Sequence, residues 1–173
     1  MRLTFIFLFF ISLFSGYVMA GHQKNIYGFI EKATLVEKNL TLSAKLDTGA
    51  ASASLNATKI TEVTVNGKPY LNFIVPSKEG DVAFSCEYLG DVNIKMRVGE
   101  RVARLLKHHS IKRPVVKMAI SLGQETHVIR VNLTNRKRFI YPLLLGREAL
   151  IAFNGIVDPA LKFTLKKNNP SQP

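Results

Sequence analysis

Apolar and polar residues alternate along much of this chain with a period of two. Val116, Met118, Ile120 and Leu122 alternate with Val115, Lys117, Ala119 and Ser121, and Ile129, Val131 and Leu133 alternate with Val128, Arg130 and Asn132. Successive side chains of a strand point to opposite faces, so each run reads as a half-buried strand. Gly123 and Gln124 separate the two runs, which makes them a hairpin or two consecutive strands. Asn66-Gly67 lies between two further runs and is a strong hairpin signal, because both residues tolerate positive φ. Other strands are expected at residues 26–35, 40–46, 82–89, 92–98 and 162–165. Helical periodicity is sparse: a short helix is expected at 147–153, after Gly146, and a second at 101–108, where Val102, Leu105 and Leu106 share a face. Many short strands with turn residues between them indicate an all-β barrel or sandwich.

The first twenty residues break this pattern. Arg2 precedes an apolar run from Leu3 to Phe14, and the small residue Ala20 offers a cleavage point before Gly21. This is the pattern of an export signal, and the run is short for a membrane span, which needs about 20 apolar residues. A retained N-terminal anchor is the alternative. The expected organisation is a signal peptide at 1–20, one domain at 21–166 and a disordered polar tail at 167–173, in a protein exported to the bacterial periplasm or secreted. With 173 residues and 47% hydrophobic composition, the chain has enough for one real core. Cys86 is the only cysteine, so no intramolecular disulfide forms and a multi-thiolate zinc site is excluded. A buried strand thiol is favoured for Cys86 over a nucleophile.

The formal charge of +12 is concentrated in Arg97, Arg101, Arg104, Lys107, Lys112 and Arg113, with a second cluster at Arg136, Lys137 and Arg138. Such a surface attracts anions. Acidic peptides, envelope polymers and lipid headgroups are the candidates, against the alternative of a merely solvated basic face. No aromatic-interleaved platform for nucleic acid is visible.

The stretch most informative for chemistry is Leu46-Asp47-Thr48-Gly49-Ala50, where a strand ends in a carboxylate, a hydroxyl, a glycine and a small residue. Asp47 can act as acid or base. Thr48 can lock the turn through backbone bonds, Gly49 permits a tight bend and close approach, and Ala50 leaves room. Alone, Asp-Thr-Gly also describes an ordinary Asx turn. Acid–base work on a peptide bond needs two carboxylates sharing a proton. Asp81, Asp91 and Asp158 lack the Thr-Gly sequel, so the chain holds half a dyad, and a twofold dimer must supply the other half.

A second stretch, Tyr141-Pro142-Leu143-Leu144-Leu145-Gly146-Arg147-Glu148-Ala149-Leu150, reads as apolar strand, Gly-Arg and short helix. Together with Asp47-Thr48-Gly49-Ala50 it resembles the retropepsins, in which a late strand ending in Gly-Arg passes beside the catalytic loop. A closer resemblance, over nearly the whole mature chain, is to the bacterial family long labelled ATP-dependent zinc proteases and now regarded as retropepsin-like. It is carried by residues 28–35, 45–55, Arg113-Pro114-Val115-Val116, Leu133-Thr134-Asn135-Arg136, 141–147 and Val157-Asp158-Pro159. This resemblance implies a closed acid-protease barrel with one short C-terminal helix and peptide-bond hydrolysis at Asp47, Thr48 and Gly49. It implies structural support from Leu144, Gly146 and Arg147. Members occur beside enzymes that build glutamate-containing peptides, which implies acidic peptide substrates. Viral retropepsins pair the arginine with an acidic residue where this chain has Ala51, so Arg147 must find another partner. Gly80 is the best candidate for a flap tip, and Ala50, Gly80, Arg101 and Arg104 are the candidate substrate contacts.

The zinc and ATP labels find no residues to support them. His22, His108, His109 and His127 do not make the paired helical spacing of metalloproteases, and no Gly-rich loop ends in Gly-Lys-Ser or Gly-Lys-Thr. No metal or cofactor is expected. Two functions remain: an aspartic endopeptidase acting as a homodimer, with at most weak contact to an anionic membrane or envelope polymer, or a non-catalytic module that holds an anionic peptide or polymer on its basic face.

Overall fold

A computed structural model describes residues 23–95 and 110–165. The chain runs through β1 (Asn25–Gly28), β2 (Ile30–Leu35), a 3-10 turn at Val36–Lys38, β3 (Leu40–Leu46), β4 (Ala53–Asn56), β5 (Thr58–Val65), β6 (Lys68–Ser77) and β7 (Gly80–Lys95). After residue 110 come β8 (Ser110–Leu122), β9 (Glu125–Thr134), β10 (Leu143–Leu145), helix α1 (Arg147–Ala152) and β11 (Gly155–Asp158). The signal at 1–20, the helix at 101–108, Arg101 and Arg104, three of the histidines and the 167–173 tail lie outside the described residues.

Six strands close into a barrel in the order β2-β3-β10-β4-β9-β8, and pairing of Ala33–Leu35 with Ile120–Leu122 shuts the ring. From β8 the sheet continues outward through β7, β6 and β5, and β1 and β11 form a separate parallel pair. Closure leaves no edge among the six ring strands, while β5 ends the outward extension. The alternation explains the core. Leu40, Leu42, Ala44 and Leu46 of β3, Met118, Ile120 and Leu122 of β8, and Ile129, Val131 and Leu133 of β9 are all buried in one apolar cluster. Beyond the ring, Phe73 and Phe84 stack across β6 and β7 with centroids 5.7 Å apart.

Both hairpins form: Val65 pairs with Lys68 across Asn66 (φ 50°) and Gly67 (φ 76°), and Leu122 pairs with Glu125 across Gly123 and Gln124. The single run expected at 26–35 is two strands, because the chain changes partner at Phe29, whose N–H donates to the Leu161 carbonyl. The run expected at 82–89 and residues 92–95 of the run expected at 92–98 share one strand, β7, with a bulge between Tyr88 and Asp91 where Gly90 takes φ 94°; residues 96–98 lie outside the described residues. Residues 162–165 make no strand. The N–H groups of Thr164 and Leu165 go to the buried Glu31 carboxylate instead of to a ladder.

Candidate active site

The site begins where β3 stops. β10 runs parallel to β3, pairing Leu144 with Lys45 and Leu145 with Leu46, and the Asp47 N–H donates to the Leu145 carbonyl at 2.9 Å. The chain then turns. Asp47 Oδ1 accepts the Gly49 N–H at 3.0 Å, and the Asp47 carbonyl accepts that of Ala50 at 3.2 Å. Helix α1 closes the loop from the far side. The N–H groups of Arg147 and Glu148 donate to the Ala50 and Ala51 carbonyls at 2.8 and 3.0 Å, using donors that the first helical turn leaves free. Gly146 makes this approach possible, since a Cβ there would sit 2.6 Å from the Ser52 carbonyl oxygen and 2.8 Å from that of Ala50. Arg147, without an acidic partner at Ala51, donates from Nη1 to the Thr48 carbonyl at 3.1 Å. The segment Leu144 to Arg147 therefore holds the Asp47 loop directly.

The Asp47 side chain is 24% exposed, and its Oδ2 lies 3.1 Å from Lys45 Nζ. Partial burial works to raise its pKa. The Lys45 hydrogen bond, the Gly49 N–H, the Lys45 charge and the Ala50 N–H outweigh that effect and hold the carboxyl below its ordinary value.

Register places Lys45, Ser54 and Asn132, with Leu144 and Val115 between and beside them, in one row on the Asp47 side of the sheet. Lys45 pairs with Leu144, Leu144 with Ser54, Ser54 with Asn132 and Asn132 with Val115. Paired residues share a face, and Asp47 follows Lys45 by two. Asn132, read from alternation as an outward residue, is only 3% exposed. Its amide donates to Ser52 Oγ and the Ala53 carbonyl and accepts from Arg113 Nη1. A cleft of about 450 Å³ opens beside it, lined by Ser52, Val92, Val115, Arg130, Asn132 and Glu148. Arg136 is buried at the end of this region, donating from Nε to the Tyr141 carbonyl and lying over the Phe139 ring. Burial, then the Arg113 charge, pull its guanidinium down to about 10, against the opposing effect of the Asp47 charge. Lys45, Asn132 and Arg136 were not singled out from the sequence as site residues. The two-residue spacing of Lys45 and Asp47 on a strand is the signal that could have found the first.

Gly80 terminates the β6–β7 hairpin with φ 125°. That hairpin borders a second groove of about 540 Å³ together with Leu40 to Ser43, at the start of β3, whereas Asp47 follows its end. Within one protomer the expected flap tip and the carboxylate do not meet, because β3 separates them. Cys86 is buried on β7, and burial, then the Glu37 charge, push its thiol up to about 12, which leaves no thiolate at neutral pH. Among the described residues no three His, Cys, Asp or Glu side chains gather as metal ligands.

A family model described as the retropepsin-like aspartic endopeptidase RimB matches residues 26–168. The chain belongs to this RimB-like family. It is 57% identical to Lpg0085 of Legionella pneumophila, a crystal structure titled as a protein of unknown function, with a TM-score of 0.71 over 83% of this chain and 100% of that one. It is 31% identical to a protein of Shewanella pealeana named probable alpha-L-glutamate ligase, over 72% of this chain and 26% of that protein. A Desulfotalea psychrophila protein of the same name is 26% identical over 82% of this chain and 30% of its own length. The chain thus spans little more than a quarter of these ligase-named relatives. The family match and the closed barrel agree on an aspartic-protease-like fold.

Proposed function

We propose that this RimB-like chain is an aspartic endopeptidase whose dyad forms when a homodimer brings two copies of Asp47 together. The observation that carries this reading is the accessible Asp47 carboxylate at a strand end, held by the Leu145 carbonyl, Gly146 and Arg147. In the dimer, one Asp47 is ionised and the other carries a proton. The ionised carboxylate takes a proton from a water as its oxygen attacks the peptide carbonyl carbon, and the protonated one gives its proton to the carbonyl oxygen. Breakdown of the resulting tetrahedral species passes a proton to the leaving amine and regenerates the pair. Thr48 and Gly49 shape the loop, and Leu144, Gly146 and Arg147 support it.

Acidic peptides are the proposed substrates, favoured by the formal charge of +12 and by relatives named as glutamate ligases. Ala50, Arg101 and Arg104 are the proposed contacts, and residues 1–20 are proposed to export the chain to the periplasm. The test compares cleavage of a glutamate-rich fluorogenic peptide by the wild type and by Asp47→Asn. The variant is expected to lose at least about 100-fold in rate. Equal cleavage by both would leave only a binding module.

A further inference from the structure

We propose that Lys45 is a positioning residue of the Asp47 site: by pairing with Oδ2 it keeps the carboxylate of a lone protomer ionised and sets the pH at which that carboxylate accepts a proton. The assignment of the ion pair stands on geometry alone; its catalytic consequence rests on the peptidase reading. Lys45 is fixed between Ile30 of β2 and Leu144 of β10, so its side chain leaves the sheet on the same face as Asp47. Its Nζ lies 3.1 Å from Oδ2, while the Gly49 N–H takes Oδ1 at 3.0 Å. Both oxygens are therefore occupied, one by a backbone donor and one by a side chain that is 45% exposed.

The other charged groups around Asp47 do not replace Lys45. Arg136 senses the Asp47 charge but donates its Nε to the Tyr141 carbonyl. Arg147 on α1 is directed to the Thr48 carbonyl. Glu148 lines the cleft at the Ser52 end of the loop, and the β10 neighbours Leu144 and Leu145 carry no charge.

A cation at 3 Å favours the anion, so removing it raises the pH at which the carboxyl gains its proton. In a shared dyad two Lys45 cations act on two Asp47 groups, so both limbs of the activity–pH profile lie lower than they would without them. Entry of an anionic group that draws Lys45 away would reverse this and ready the carboxyl for protonation.

The Asp47 carboxyl is to be titrated by carbon-13 NMR in dilute protein for the wild type, Lys45→Met and Lys45→Arg, with peptide cleavage followed against pH for the same three chains. The Met variant is expected to titrate at higher pH, with both activity limbs moved the same way, and the Arg variant to stay near the wild type. Identical titration of the wild type and the Met variant overturns the proposal whatever their activity. A raised midpoint in the Met variant, with no cleavage by any chain, supports the role of Lys45 and overturns the peptidase reading instead.

Discussion

Glu31, on β2, and Asp47, just past the end of the neighbouring β3, are two carboxylates that the fold treats in opposite ways. Glu31 is fully buried. Its Oε1 accepts the N–H groups of Gly28 and Thr164 and the Thr164 hydroxyl, and its Oε2 accepts the Leu165 N–H. Those donors come from the end of β1 and from residues 164 and 165, so this carboxylate ties residues 164 and 165 to the β1–β2 junction. Asp47 has the Gly49 N–H on one oxygen and the exposed Lys45 ammonium on the other, and its side chain is partly open to water. A fully buried carboxylate turned toward backbone donors is out of a substrate's reach. One held at a single oxygen by backbone keeps the other open to exchange.

Stability separates the two most sharply. Glu31→Ala strands three backbone N–H groups, and at about 1–3 kcal/mol for each unsatisfied donor the expected loss is about 4 kcal/mol by urea unfolding. A loss below about 1 kcal/mol would mean that water replaces the carboxylate, and the contrast would fail. Gly146→Ala should come next. Its φ of −86° suits any residue, so the cost comes from the Cβ forced against the Ser52 and Ala50 carbonyls, about 2 kcal/mol in thermal unfolding. Wild-type stability for that variant would show that the loop yields freely and that α1 does not fix it.

Asp47→Asn should change stability least, within about 0.5 kcal/mol at neutral pH, because Asn keeps an acceptor for the Gly49 N–H and loses only an exposed ion pair. The folded-state pKa of Asp47 is lowered, so any stabilisation it gives is present above its unfolded value and lost as pH falls through the folded one. Because its ionic partner is the surface residue Lys45, whose pairing water screens, the acid limbs of wild-type and Asp47→Asn unfolding should nearly coincide. A wide gap between them would make Asp47 a structural carboxylate like Glu31.

Legibility followed local chemistry. The bounds of β3, both two-residue turns and the helix after Gly146 follow from alternation and turn residues that act within a few positions. β4 was missed although Ala53-Ser54-Leu55-Asn56 alternates in polarity, because the run is only four residues long and the strands that flank it, β10 and β9, lie far along the chain. Residues 162–165 alternate like a strand, yet the Phe163 N–H goes to the Ile30 carbonyl and those of Thr164 and Leu165 to the Glu31 carboxylate, far away in sequence. Glu31 itself reads as a solvent-facing charge in a strand, and only the arrival of Thr164 and Leu165 gives it donors. At the site, the Asp47 loop and the Gly-Arg element were visible as motifs. The buried Asn132 and Arg136 were not, because long-range neighbours hold them: Ser52 and Ala53 for one, and Asn56, whose side chain accepts the Arg136 N–H, for the other.

The central claim is that one Asp47 is inert until a second copy arrives. Cleavage rate per protomer, followed from dilute to concentrated protein alongside mass by light scattering, addresses it most directly. The account predicts a rate per protomer that climbs from near zero to a plateau as the mass rises from one protomer to two. A constant rate per protomer at the mass of a single chain would contradict it.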